Sequence, residues 1–224
     1  MSRCNNKSLL SIFIAIVMVM CGIKSTAQST EFGIRAMPTI SNFEVHNASG
    51  GVIEGEATVG FGVGAFLGFN FTDHIGLQVE AIYNTYSQKY TEADNDYRVE
   101  LKYVNIPLLL SYNTNKMEAV NFNIVAGPQI GISVGSDIFN GNNDPNDAAV
   151  LSVKNGDLGI AYGAGLDFGL NAAKTFRIGL GFRGVLGLFD ISDDSQSIAT
   201  QNYYVLDRTN VKTYAAYLGF SYLF

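Results

Sequence analysis

The chain has 224 residues, a formal charge of −6, two cysteines, no tryptophan and 24 glycines. An acidic balance argues against nucleic-acid binding, which needs a basic surface. Abundant Gly, 12 Tyr, 15 Phe and only 4 Pro suit one barrel or sandwich domain.

From the N-terminus, Arg3 and Lys7 precede an apolar run from Leu9 to Val19 and on to Gly22, followed by Ser25-Thr26-Ala27 and Gln28. Charged, apolar and small residues in that order mark a secretory signal peptide. The expected division is a signal peptide over residues 1–27 and a β-barrel domain over residues 28–224. Two alternatives fit less well. A lipid anchor on Cys21 would need a small residue where Met20 stands, and a retained membrane helix needs about 20 apolar residues, whereas Lys24 cuts the run short. Cys4 and Cys21 leave with the signal, so no thiol remains for redox or nucleophilic chemistry. Arg3, Lys7 and Lys24 leave too while every Asp and Glu stays, which takes the formal charge from −6 to −9.

The remainder alternates with period two from end to end, the mark of strands that present different faces. Eight strands are expected: Glu31 to Asn42, Gly60 to Phe71, Ile75 to Lys89, Val99 to Asn113, Asn121 to Val134, Leu158 to Asn171, Thr175 to Phe189 and Val211 to Phe224. Each exceeds the roughly 9 to 11 residues that a tilted strand needs to cross a bilayer. In the seventh, Phe176, Ile178, Leu180 and Phe182 share one face, while Arg177, Gly179, Gly181 and Arg183 share the other.

Connections alternate in length. Thr72 to His74, Thr114 to Val120 and Ala172 to Lys174 are short; Phe43 to Val59, Tyr90 to Arg98, Gly135 to Asp157 and Asp190 to Asn210 are long. Short periplasmic turns, long outer loops and an even strand count are the pattern of outer-membrane barrels. The expected fold is all-β: an eight-stranded antiparallel up-and-down transmembrane β-barrel of the OmpA/OmpX-like architecture, with both termini periplasmic. A soluble lipocalin-like barrel also has eight up-and-down strands, but it would turn its apolar faces inward. Here those faces are continuous and their opposites carry Gly with scattered charges, so a soluble version would expose an aggregating belt.

The last strand reads Tyr217-Leu218-Gly219-Phe220-Ser221-Tyr222-Leu223-Phe224. Gly219, Tyr222 and Phe224 are similar to the C-terminal signal read by the outer-membrane barrel insertion machinery. Together with the lipid bilayer, that machinery is an expected partner.

Three further segments carry a family resemblance. Lys102-Tyr103-Val104-Asn105-Ile106-Pro107-Leu108-Leu109-Leu110-Ser111-Tyr112, Val125-Ala126-Gly127-Pro128-Gln129-Ile130-Gly131 and Gly163-Ala164-Gly165-Leu166-Asp167-Phe168-Gly169 occur in that order. In these the chain resembles the PorT-like family of small bacterial outer-membrane β-barrels. The resemblance implies the barrel and, through the family's name-giving members, a part in type IX secretion and gliding machinery; it implies no catalytic motif.

Alternation places Arg35, Gln78, Glu80, Asn105, Gln129, Asp167, Arg177 and Arg183 inside. Charges in a lumen walled off by lipid need partners, so Arg35, Arg177 and Arg183 are expected to meet Glu80 and Asp167. The group reads as a polar plug or as a narrow ion or proton path, and the plug is preferred because eight strands enclose only enough room for side chains. Inward glycines, among them Gly60, Gly62, Gly64, Gly68, Gly179 and Gly181, leave wet space or make room for arginine and tyrosine.

In the third long loop Asp137, Asp144 and Asp147 are candidate calcium ligands, though the spacing is not that of an EF-hand and a solvated turn-rich loop is the plainer reading. His46, expected in the first long loop near Ser41, Glu44, Ser49 and Glu54, is the nearest approach to a hydrolase site, without a motif. His74 beside Asp73 reads as a turn pair. Tyr83, Tyr86, Tyr90, Tyr103, Tyr112, Tyr203, Tyr204 and Tyr222 read as interfacial anchors. The expectation is a monomeric, non-enzymatic barrel without metal or cofactor, structural or interacting with envelope proteins; a small pore is the alternative and a lipid-modifying enzyme a more distant one.

Overall fold

Closure is what lets these strands exist in hydrocarbon, because an open sheet edge there would leave backbone groups unpaired. The computed structural model describes residues 29–46, 52–53, 55–92, 95–140, 150–152, 156–190 and 203–224. Its strands are β1 (Ser29–His46), β2 (Val52–Ile53), β3 (Gly55–Asn70), β4 (Ile75–Glu92), β5 (Asn95–Asn113), β6 (Val120–Asn140), β7 (Val150–Ser152), β8 (Gly156–Gly169), β9 (Phe176–Asp190) and β10 (Tyr203–Leu223). Eight of them pair antiparallel in the circuit β1-β3-β4-β5-β6-β8-β9-β10, and β10 returns to β1 through pairs such as Ile34↔Phe220 and Arg35↔Gly219. The other two are short additions at one rim: β2 pairs with the end of β1, and β7 lies parallel to Tyr203–Val205 of β10.

Each of the eight expected strands is present, and the barrel is inside-out relative to a soluble protein. Phe32, Ile34, Val63, Leu67, Leu108, Leu110, Ile124, Leu180, Phe182, Leu218 and Phe220 are exposed on the outer wall. Glu31, Gln78, Glu80, Asn105, Gln129, Asp167, Arg177 and Arg183 are buried inside. A continuous apolar surface of this kind is stable only against hydrocarbon, so the strands span a bilayer.

The tight turns lie at the end that also carries Ser29 and Phe224, here the terminus end; the opposite rim is the loop end. In the turn after β3, Thr72 Oγ1 accepts from the backbone N–H of His74 (3.1 Å) and Ile75 (2.9 Å). After β5, Asn121 Oδ1 accepts from Asn115 N–H (3.2 Å), and Asn115 Oδ1 accepts from Met117 N–H (2.9 Å). After β8, Asn171 Oδ1 accepts from Phe176 N–H (3.1 Å), while Lys174 adopts φ of 57°.

At the loop end the structure corrects the expected connections. Tyr90 to Arg98 is no loop: β4 and β5 stay paired up to Glu92↔Asn95. His46 closes β1, opposite Val205 and Val52, and Asp137 belongs to β6. The strands outrun their apolar stripes. On β5 the outward apolar residues run from Tyr112 to Val104 and give way to Lys102, while the ladder continues, because backbone hydrogen bonding does not depend on which faces are apolar.

Candidate functional site in the barrel lumen

Every candidate lumen residue points inward, and they form two groups at different heights. The central group surrounds Glu80 on β4. Its Oε1 accepts from Arg183 Nη2 on β9 at 2.8 Å, from Arg35 Nη1 on β1 and from Gln78 Nε2. Arg35 is braced on both sides by aromatic faces, Phe66 at 4.1 Å and Tyr217 at 4.7 Å from its guanidinium carbon. Glu80 is 2 % exposed and Arg183 3 %. Burial this deep makes pairing obligatory, because an isolated charge here costs several kcal/mol, of order 3–5 when one partner is removed.

The second group closes the terminus end. Asp167 on β8 accepts from Lys116 Nζ (3.1 Å), Asn121 Nδ2 (3.1 Å) and Asn123 Nδ2 (3.0 Å). Lys116 also pairs with Glu31 of β1 at 2.8 Å, and Glu31 accepts from Ser221 Oγ of β10 at 2.6 Å. Lys116 belongs to the turn between β5 and β6, which folds across the mouth, and its backbone N–H donates to Asp73 O of the preceding turn. Burial works against its charge, but the carboxylates of Glu31 and Asp167 outweigh that and hold its pKa above the ordinary lysine value. On the same turn, the exposed Glu118 carboxyl is held below its usual range by a hydrogen bond from Lys174.

The expected pairing of three arginines with Glu80 and Asp167 is therefore corrected at Arg177. Its guanidinium donates to main-chain oxygens of Glu118 (3.1 and 3.2 Å), Lys174 (3.3 Å) and Asp167 (3.4 Å), tying turns together. The Asp167 carboxylate takes Lys116 instead. Lys116 stands in a turn, where alternation has no reach. Glu31 was legible, because it shares the parity of Arg35 on β1.

Towards the loop end, Gln129, Asn105 and Tyr86 line a cavity of about 20 Å³ with Thr39, Asn84 and Arg183. A neighbouring cavity of about 20 Å³ reaches Asp157, and one of about 10 Å³ sits between Arg35 and Lys116. Each has room for about one water, which needs roughly 10–15 Å³ measured this way. Tyr86 and Tyr103 correct another expectation. They face inward rather than to the interface, with ring centroids 6.0 Å apart, and Asn105 Nδ2 donates to Tyr86 Oη at 2.8 Å. Tyr83 and Tyr112 do face outward, whereas the side chains of Tyr90, Tyr203 and Tyr204 lie outside the described residues.

Of the remaining candidates, Asp144 and Asp147 lie outside the described residues, as do Ser49, Glu54 and the signal segment 1–27. The Asp137 carboxylate is 2.6 Å from Lys102 Nζ, and no group of three His, Asp or Glu among the described residues is placed to hold a metal ion. Ser41 is buried in the lumen, and the side chain of His46 is not described. His74 sits in its turn with Nδ1 3.2 Å from Asn113 O. Gly219 lies across from Arg35, and a Cβ there would stand 3.1 Å from Arg35 Cγ, so its bareness makes room for the arginine. Tyr222 packs edge-on between Phe176 (4.9 Å) and Phe224 (4.8 Å) at the terminus end of the barrel wall.

Solved structures share the barrel fold. OprG from Pseudomonas aeruginosa, an outer membrane protein, is similar at 16 % identity over 88 % of this chain and 96 % of that one, with a TM-score of 0.54. The outer membrane protein AlkL, solved by solid-state NMR in DMPC bilayers, is similar at 13 % identity over 90 % and 94 %, with a TM-score of 0.50. Ail, the attachment invasion locus protein of Yersinia pestis, is similar at 16 % identity over 89 % and 100 %, with a TM-score of 0.45. At such identities the likeness to OprG and AlkL is one of fold. No curated protein matches the chain in sequence. Residues 26–193 match the family described as outer membrane protein beta-barrel domain. With most of its length inside that match, the chain belongs to this family and is a β-barrel of the outer membrane.

Proposed function

We propose that this protein is a sealed, non-enzymatic scaffold: a barrel that anchors its loop end outside the cell for contact with other envelope components, with its termini in the periplasm. The observation that carries the reading is the filled lumen. Glu80 with Arg35 and Arg183 blocks the middle, the Lys116 turn covers one mouth, and the described cavities are the size of single waters. Binding then falls to the rim and the loops, where a rigid scaffold commonly presents it. The orientation rests on the tight turns gathered beside the termini, as in barrels of this class, and export rests on the signal-like order of residues 1–27.

The finer version is an accessory role in an envelope or type IX secretion complex. It is supported by resemblance to the PorT-like family in the segments around Asn105, Gln129 and Asp167. Conductance of the refolded protein in a planar bilayer tests the sealed lumen, with no discrete openings expected; steady openings abolished by changing Arg183 would replace the scaffold with a pore. Crosslinking in intact cells from Asp137 tests the accessory role, with secretion components expected and an empty crosslink opposing it.

A further inference from the structure

At the loop end the closed wall separates into sheets. The pairing of β1 with β3 ends at Ile40↔Val59, that of β6 with β8 at Ile132↔Gly156 and that of β9 with β10 at Lys212↔Leu186. Beyond these points β3, β4, β5 and β6 run on as one sheet, through Gly55↔Tyr90, Glu92↔Asn95 and Tyr97↔Asn140. β1 and β10 form another, and each of its flanks carries a short added strand, β2 on β1 and β7 on β10.

The first sheet has no such cover on β6. Among the described residues β6 pairs only with β5 and β8, so from Ser133 to Asn140 its far side is an open edge. A bulge falls at its base, between Ser133 and Gly135, after which Gly135 to Asn140 pair with β5 without a break. That is about 20 Å of strand, and it starts opposite Lys102, where the outward apolar stripe of β5 has ended. Sheet edges in water are usually blunted by lysine, proline or very short length, because their unpaired N–H and C=O groups recruit another strand. Gly135 to Asn140 holds no proline, lysine or arginine, whereas the open flank of β3 is only Gly55 to Thr58. Side chains beside the β6 edge add a preference. Asp137 stands opposite Glu100 of β5 and pairs with Lys102 at 2.6 Å, with 44 % of its side chain exposed. On a strand added to the other side, the position opposite Asp137 favours a cation, as opposite charges do across a ladder.

We infer that the Gly135–Asn140 edge takes up an extended segment of a partner polypeptide, which adds a strand to this sheet and sets a lysine or arginine opposite Asp137. Backbone hydrogen bonds supply the attachment and Asp137 the selectivity. The inference rests on the scaffold reading, which puts this end of the barrel outside the cell.

The probe is a synthetic peptide of alternating valine and threonine with one central lysine, added to the full refolded barrel in detergent. Amide hydrogen exchange reads protection, and fluorescence anisotropy of the labelled peptide reads affinity. Protection confined to residues 135–140 is expected, with loss of binding by the same peptide N-methylated throughout, which is more apolar but has no N–H to donate. Asp137→Lys is expected to weaken binding of the lysine peptide roughly fivefold, the upper scale of a cross-strand charge pair, and to strengthen that of a glutamate counterpart. Equal binding of the plain and methylated peptides means adsorption only and overturns the inference, as does an unchanged lysine-peptide affinity in Asp137→Lys. So does a free barrel in which every amide from 135 to 140 already exchanges slowly, whether covered by its own chain or by a second copy. Should Asp137→Lys fail to fold, the methylated peptide still decides the matter on the wild-type barrel. A barrel that conducts ions yet protects residues 135–140 loses the scaffold reading alone; a sealed barrel that leaves them unprotected loses this inference alone.

Discussion

Arg183 and Glu80 lie 103 positions apart in sequence and meet at 2.8 Å in the middle of the lumen, joining β9 to β4 across the barrel. Arg35 of β1 reaches the same carboxylate oxygen, so one acidic side chain ties together three strands that are not all neighbours.

Glu80→Ala is expected to leave two arginines facing each other in a buried interior and to cost about 3–5 kcal/mol, the usual toll for unpairing a buried ion. The check is the urea midpoint of the refolded barrel by circular dichroism. A loss below about 1 kcal/mol, the level of a surface pair, would mean that water already screens the centre.

Lys116 gives a prediction in pH. Its pKa is raised in the folded state, so its contribution is fully present below the unfolded lysine value of about 10.4 and is lost as pH rises through the folded value. Wild-type stability should therefore fall in that alkaline window, while Lys116→Met, already lacking the contribution, should fall less steeply. Parallel curves would remove Lys116 from the account.

The outer wall should discriminate by depth. Leu180→Arg, at the middle of the β9 stripe, is expected to cost about 2–4 kcal/mol and Leu186→Arg, near the loop-end limit of that stripe, about 0–1 kcal/mol. Both leucines are exposed on the outer face. Folding titrations in lipid vesicles measure the difference, and equal costs would contradict a bilayer centred on Leu180.

Tyr217 owes its place to missing side chains. A Cβ on Gly165 would stand 2.0 Å from Tyr217 Oη, and one on Gly181 2.7 Å. Gly165→Ala should destabilise by about 1–3 kcal/mol through overpacking, and adding Tyr217→Phe should recover much of it. Failure of that rescue in thermal gel-shift midpoints would place the clash elsewhere.

Lys174 holds a left-handed conformation at φ 57° that L-residues other than Asn and Asp seldom adopt. Lys174→Gly is expected to gain up to about 1 kcal/mol, since the ion pair with Glu118 (3.1 Å) that it gives up is exposed and weak. A net loss in the urea midpoint would assign that ion pair more weight than its exposure warrants.

The sequence alone determined the architecture, because alternation such as Phe176-Arg177-Ile178-Gly179-Leu180 assigns each residue a face by local geometry, and the greasy face had to meet lipid. It determined too which residues enter the lumen, Arg35, Glu80, Asp167 and Arg183 among them, since parity carries along a strand without knowledge of its neighbours. Only the tertiary structure decided who meets whom. Partners across a lumen depend on register and strand tilt, so Glu80 collects Arg35 and Arg183, while Asp167 takes Lys116 from a turn that parity cannot reach and leaves Arg177 to main-chain carbonyls. The extent of the strands beyond the belt was hidden for a related reason. Outside hydrocarbon both faces turn polar and the period fades, while the ladder from Lys89↔Arg98 to Glu92↔Asn95 runs on through backbone hydrogen bonds indifferent to side chains.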